Sequence, residues 1–261
     1  QLKHSFLPLR DSLKIMTHRE ITILGNKRRL TAEFQPIIHL SRNTIFRYEA
    51  LARFYNEDGL LLSTLDAIKV AEVSGSIYEV TDFIFDYVCQ LLKQKDTLNF
   101  SFNLSPVLLS DPDYIKQLHH RCTEQGIAPQ RIDIEIGERV THPQLIAGLP
   151  FLEYAKSCGF TVSLDDFGAG NLTRDSLDVF AFDTIKIDRS MIANIDSDAG
   201  RWSRLQAMMA ALQPLGVNIV CEGVERQADL EQLRRYREIA IQGYIFYRPL
   251  TLNQLKLLED F

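Results

Sequence analysis

Short, β-branched apolar runs alternate along this chain with longer segments of helical period, and that rhythm restricts the available folds more than any other feature. The strand candidates are Phe34 to Ile38, Ile45 to Leu51, Leu98 to Leu104, Ile132 to Ile136, Thr161 to Leu164, Thr184 to Ile187, Val217 to Cys221 and Ile241 to Phe246. Helical patterns fall near Leu65 to Val73, Ile77 to Lys93, Pro112 to Gln125, Pro143 to Ser157, Ala199 to Leu212, Gln227 to Tyr236 and Leu252 to Leu258. Gly126 and Gly159 stand just past two of them, where helix stop signals belong. Such alternation favours a parallel α/β sheet, and this many units in 261 residues favour a closed (β/α)8 TIM-type barrel over an open, doubly wound sheet. No Gly-x-Gly-x-x-Gly follows the first strand, which disfavours a dinucleotide fold. The first two strands are too close in sequence for a crossover helix, so the barrel is expected to begin with an antiparallel strand. Residues 1–29 show no clear strand and read as a helical lead-in or linker from an upstream domain, leaving 30–261 as the barrel domain. A chain that begins at Gln1 is expected to be a piece of something longer.

Composition narrows the function. With 46% hydrophobic and 24% charged residues the chain can bury a large core, which excludes disorder. A net charge of -5, without Lys/Arg runs interleaved with aromatics, gives no reason to bind polymeric nucleic acid. Cys89, Cys122, Cys158 and Cys221 are widely spaced, which argues against zinc ribbons and disulfide frameworks and for a reducing, cytoplasmic setting. No apolar run approaches the ~18 residues that would span a bilayer. This segment is expected to make no membrane contact, although upstream segments could anchor a longer protein.

The polar residues cluster at strand ends. In Tyr48-Glu49-Ala50-Leu51-Ala52-Arg53-Phe54, strand period places Glu49, Leu51 and Arg53 on one face, so an acid, an apolar side chain and a base share one wall. Asn103, Glu135, Asp165 with Asp166, Glu222 and Gln242 end other strands, and Lys186 lies between Ile185 and Ile187. Asp133 shares the face of Glu135 and could sit either with it or at the closed end of the barrel. Chemistry on such a barrel gathers at the C-terminal strand ends. Five carboxylates brought together there repel by several kcal/mol per pair at ~4 Å and an effective dielectric of about 20, so cations are required beyond Lys186 and Arg53. Hard oxygen donors with an amide suit magnesium or manganese rather than zinc. Adjacent Asp165 and Asp166 can serve two ions, one of them as a bridge, an arrangement that clamps the two oxygens of a phosphoryl displacement and points to hydrolysis of a phosphate ester. Behind them, Gly168 and Gly170 supply a flexible turn. The histidines offer no metal pair at helical spacing, since His119 and His120 are neighbours, and neither a nucleophile elbow nor a Ser-His-Asp order is present.

Eight ordered motifs, covering roughly residues 30 to 255, carry a family resemblance: Phe34-Gln35-Pro36-Ile37, Glu49-Ala50-Leu51-Ala52-Arg53, Asn103-Leu104-Ser105, Glu135-Ile136-Gly137-Glu138, Asp165-Asp166-Phe167-Gly168-Ala169-Gly170, Lys186-Ile187-Asp188, Glu222-Gly223-Val224-Glu225 and Gln242-Gly243-Tyr244. The chain resembles the EAL domain of bacterial cyclic di-GMP phosphodiesterases. The resemblance implies a barrel with an antiparallel first strand and two Mg²⁺ or Mn²⁺ ions, with Glu49, Asn103, Glu135 and Asp165 around one and Asp165, Asp166 and Glu222 around the other. It implies that Lys186 holds or polarises the attacking water and that Glu222 orients that water or accepts its proton. Gln35 and Arg53 would contact the phosphates, and Leu51 and Pro249 would line a guanine pocket. Glu138 would steady the loop after Asp166, and Glu225 and Gln242 would support the metals and the lysine. The implied reaction is hydrolysis of cyclic di-GMP to linear pGpG; the alternative is a receptor or protein-interaction module that does not turn it over. A homodimer through the helix after the Asp165-Asp166 loop is also implied. Gly137 departs from the family's usual Thr, and Asn171-Leu172-Thr173-Arg174 from its usual Tyr-Ser-Ser-Leu.

Overall fold

The computed structural model describes residues 15–137 and 139–261. Residues 1–14 of the expected lead-in lie outside the described residues. From Arg19 onward the lead-in expectation gives way to strand: β1 (Arg19–Ile23) pairs antiparallel with β2 (Asn26–His39). Ile21 and Ile23 alternate with polar Glu20 and Thr22 and are buried, while Leu24 and Gly25, at φ 48° and 78°, form a two-residue turn whose twist matches a hairpin.

The antiparallel start is as expected. Strand β2 pairs with β3 (Thr44–Tyr55) in a register that sets Gln35 opposite Glu49. From β3 the sheet runs parallel through β4 (Phe100–Leu104), β5 (Ile132–Ile136), β6 (Thr161–Phe167), β7 (Thr184–Ile187), β8 (Asn218–Glu222) and β9 (Ile239–Gln242). Pairing of β2 with β9, antiparallel at Ile38 and Ile241, closes an eight-stranded barrel and leaves β1 as a flange outside it. The last strand ends at Gln242 instead of Phe246, because Gly243 begins a turn closed by a hydrogen bond from Phe246 N to Gly243 O.

Helices surround the closed sheet: α1 (Thr64–Ser74), α2 (Ile77–Leu92), α3 (Pro112–Gln125), α4 (His142–Ala147), α5 (Leu149–Cys158), α6 (Arg189–Ile192), α7 (Ala199–Leu212), α8 (Gln227–Leu233) and α9 (Leu252–Glu259). The single helix expected over Pro143 to Ser157 is two, since Pro150 has no N–H to donate to the turn before it and the chain breaks at Gly148. Gly126 and Gly159 do end their helices in left-handed conformation. Outward residues of the strands are apolar and interlock with α2: the Phe34 ring meets Tyr87 edge-on at 5.2 Å, and Phe102 meets Phe85 at 5.7 Å. Burying the outer face this way leaves the inward alternate positions free to be polar.

Candidate active site

Seen from the closed end, the lumen is stacked in layers. Ile37, Val220 and Ala240 form an apolar plug with Phe46. Beside it, buried Arg47 and Asp133 pair at 2.7 Å, and Asp133 also accepts from the hydroxyls of Thr161 and Ser163, both at 2.6 Å. Asp133 is thereby committed to the floor of the barrel, which closes the alternative left open by its sequence position.

The next layer centres on Lys186, whose side chain is 1% exposed. Its Nζ lies 3.1 Å from Glu49 Oε2, 3.1 Å from Glu135 Oε1, 3.3 Å from Glu222 Oε1 and 3.6 Å from Asp165 Oδ1. Gln242 Nε2 donates to Glu49 Oε2 at 2.6 Å and to Gln35 Oε1 at 3.1 Å, and Asn103 Nδ2 donates to Glu49 Oε1 at 3.0 Å. Carboxylates from four strands, β3, β5, β6 and β8, therefore converge on one ammonium.

Asp165 and Asp166 reach the same mouth through a bulge. Strand period would point adjacent residues to opposite faces. However, Leu164 pairs with Ile185 and Phe167 with Ile187, so two residues of β6 stand opposite Lys186 alone. Asp166 takes φ 52°, a left-handed conformation that Asp tolerates better than most residues, and its N–H donates to Asp165 Oδ1 at 3.1 Å. The outcome is two overlapping acidic groups, Glu49, Glu135 and Asp165 on one side and Asp165, Asp166 and Glu222 on the other, each offering oxygens within 4.8 Å of one another.

Burial raises the Glu135 and Glu222 carboxyls well above the usual range, with Glu49 adding to the shift of Glu135 and Asp165 to that of Glu222. Asp166 is pushed up to about 6 by burial and then by the Asp165 charge. Burial also pushes at Glu49, but the Lys186 charge and the bonds from Gln242 and Asn103 outweigh it and hold that carboxyl at about 2. Lys186 keeps its proton strongly, because the surrounding carboxylates overcome the penalty of burial. One ammonium does not balance five acids. Glu222 Oε2 is buried without any hydrogen-bond partner, and the donors are hard oxygens plus one amide, which fits divalent cations of the magnesium or manganese kind.

The EAL domain profile matches residues 19–249 of this chain. The chain belongs to the EAL domain family. This EAL domain is 28% identical over 255 residues to the cyclic di-GMP phosphodiesterase NbdA of Pseudomonas aeruginosa, an alignment covering 96% of this chain and 33% of NbdA. To the probable cyclic di-GMP phosphodiesterase PdeG of Escherichia coli it is 26% identical over 231 residues, with 85% of this chain and 45% of PdeG covered. Among solved structures it superposes on the PaMucR phosphodiesterase in complex with c-di-GMP with a TM-score of 0.78 at 26% identity, covering 87% of this chain and 94% of that one. An EAL domain protein from Listeria monocytogenes EGD-e gives 0.79 at 27% identity, with 88% and 92% covered. The chain spans roughly a third of the length of curated relatives such as NbdA, at 33%.

Other residues read from the EAL motifs are placed less centrally. Gln35 is buried beside Gln242 and also donates to Tyr247 O at 3.1 Å. Arg53 is turned aside to Glu33, with Nε 2.6 Å from Oε1. Leu51 and Pro249 are half-buried and line neither of the two cavities beside the site. Glu225 is exposed and lies 3.7 Å from Arg189. Glu138 lies outside the described residues. Arg174 is exposed and does not intrude on the core, whereas Leu172 is buried, and a Cβ added at Gly137 would meet nothing within 4 Å. Sequence reading missed Ser101, whose Oγ donates to Glu135 Oε1 at 2.9 Å. Its position two residues before Asn103, on the same strand face, was the available signal.

Proposed function

We propose that this EAL domain is a metal-dependent phosphodiesterase that hydrolyses cyclic di-GMP to linear pGpG. The observation that carries the reading is the pair of acidic groups joined through Asp165 around a fully buried Lys186 at the open end of a barrel. Glu49, Asn103, Glu135 and Asp165 would hold one Mg²⁺ or Mn²⁺ ion, and Asp165, Asp166 and Glu222 a second. Bound there, the two ions would offset the acidic field, hold a phosphodiester against it and acidify water. Lys186 orients the attacking water from below, and Glu222, with its unpartnered Oε2, accepts the proton. Water oxygen bonds to phosphorus as the P–O3′ bond breaks, the departing 3′-oxygen takes a proton from solvent while Glu222 returns its own to solvent, and the product carries a 5′-phosphate.

A dinucleotide also needs an apolar slot for a base. A cavity of about 300 Å³ lies between β3 and helices α1 and α2, lined by Ala52, Leu65, Ile77, Leu104 and Pro106 and reached beside Asn103. That size and lining suit a planar heterocycle. A receptor that binds without turnover draws its support from the residues that depart from the family pattern, but Gly137 and Arg174 leave the acid and lysine cluster assembled. Chromatography of cyclic di-GMP incubated with Mg²⁺ or Mn²⁺ separates the two readings. The enzyme releases pGpG, and Glu49→Ala and Lys186→Ala abolish it. Tight binding by the parent domain with no pGpG at saturating metal would establish the receptor instead.

A further inference from the structure

The mouth above Lys186 opens into a cavity of about 320 Å³. A cyclic dinucleotide is larger than this, so with one phosphodiester at the acidic cluster the rest of the ring must cross the rim. Glu49, Asp166, Asp188, Glu222 and Glu225 all line the cavity, and a second phosphodiester crossing such a rim would be repelled. Among the described residues lining it, Arg189 is the one basic side chain. Arg53 does not line it and is held by Glu33 at 2.6 Å.

Two details prepare Arg189 for this place. Its guanidinium is lightly held: the side chain is 65% exposed, and its partner Glu225, at 3.7 Å, is 45% exposed, a distance and exposure at which an ion pair contributes little. Its stem, by contrast, is fixed in direction. Gly223 takes φ 68°, and a Cβ there would fall 2.7 Å from Arg189 Cβ and Cγ, so the missing side chain lets the arginine lie across the Glu222-Gly223 turn and present its head at the mouth.

We infer that Arg189 binds the phosphodiester that is not cleaved and so sets the preference of this site for a doubly charged cyclic dinucleotide. The inference rests on the proposed phosphodiesterase reading. A guanidinium offers two parallel donors to a phosphate, which an ammonium cannot match.

The test compares cyclic di-GMP with bis(4-nitrophenyl) phosphate, a diester with a single phosphate, in the parent, Arg189→Gln and Arg189→Lys. Arg189→Gln should raise KM for cyclic di-GMP by about 10- to 100-fold, the usual worth of a charge-assisted bond. The loss of kcat/KM on the cyclic dinucleotide should exceed the loss on bis(4-nitrophenyl) phosphate by at least about tenfold, and lysine should restore only part of the difference. An unchanged KM, or equal losses on both diesters, would overturn the inference while leaving the phosphodiesterase reading in place. Failure of the parent to turn over either diester would remove that reading and the inference with it.

Discussion

Replacing Lys186 with Met keeps most of the volume of the side chain and removes its charge, leaving Glu49, Glu135, Asp165 and Glu222 facing each other at the positions now 3.1 to 3.6 Å from the ammonium. Breaking a buried charge cluster from one side costs about 3–5 kcal/mol. In a domain of this size that corresponds to a drop in Tm of roughly 5–20 °C. A divalent cation at about 100 times its Kd would return close to 2.7 kcal/mol, since it binds only the folded cluster. Urea unfolding in EDTA and in Mg²⁺ reads both effects, and the single Trp, Trp202, packed against the core from α7, provides the signal. Adding Glu135→Gln to the variant should recover part of the loss, because it removes one of the uncompensated charges. A Lys186→Met variant within about 1 kcal/mol of the parent in EDTA, with no gain from Mg²⁺, would refute the claim that the ammonium and the metals share the task of neutralising this mouth.

Three further outcomes follow from single contacts. Asp166→Asn keeps a residue that tolerates φ 52°, so stability should stay within about 0.5 kcal/mol while turnover falls about 100-fold or more, readable by paired denaturation and kinetics. Ser101→Ala removes the donor that holds Glu135 Oε1 at 2.9 Å and should lower Mn²⁺ affinity in calorimetry by about tenfold with about 1 kcal/mol of stability lost. Gly243→Ala would place a Cβ 2.1 Å from Val224 O, and since backbone on both sides cannot move aside, unfolding measurements should show a loss of about 3 kcal/mol.

Several strand ends were legible in the sequence because the polar group stands at the last inward position, as Asn103, Glu135, Glu222 and Gln242 do, and inward position is fixed by period alone; Glu49 instead stands mid-strand, because β3 runs on past Leu51 to Tyr55. Closure by an antiparallel β2 was legible from a connection too short for a crossover. Strand β1 was not, since it is only five residues long and its turn is Leu24-Gly25, without the Asn or Asp that usually marks a two-residue hairpin loop. The break between α4 and α5 was written in Pro150 but hidden by the apolar period running through it. The bulge that turns both Asp165 and Asp166 into the mouth depends on pairing with β7, a contact no local pattern encodes. Arg47 with Asp133, and the Arg189 stem with Gly223, meet only once the barrel closes and its loops gather at one end.

Hydrolysis of cyclic di-GMP in ¹⁸O-labelled water, with Mg²⁺ or Mn²⁺ and mass analysis of the product, tests most directly whether this mouth delivers water to a phosphodiester. The expected product is pGpG with one heavy oxygen on its terminal phosphate, absent in EDTA and absent in Lys186→Ala. Unlabelled pGpG, or intact cyclic di-GMP recovered at saturating metal, would contradict it.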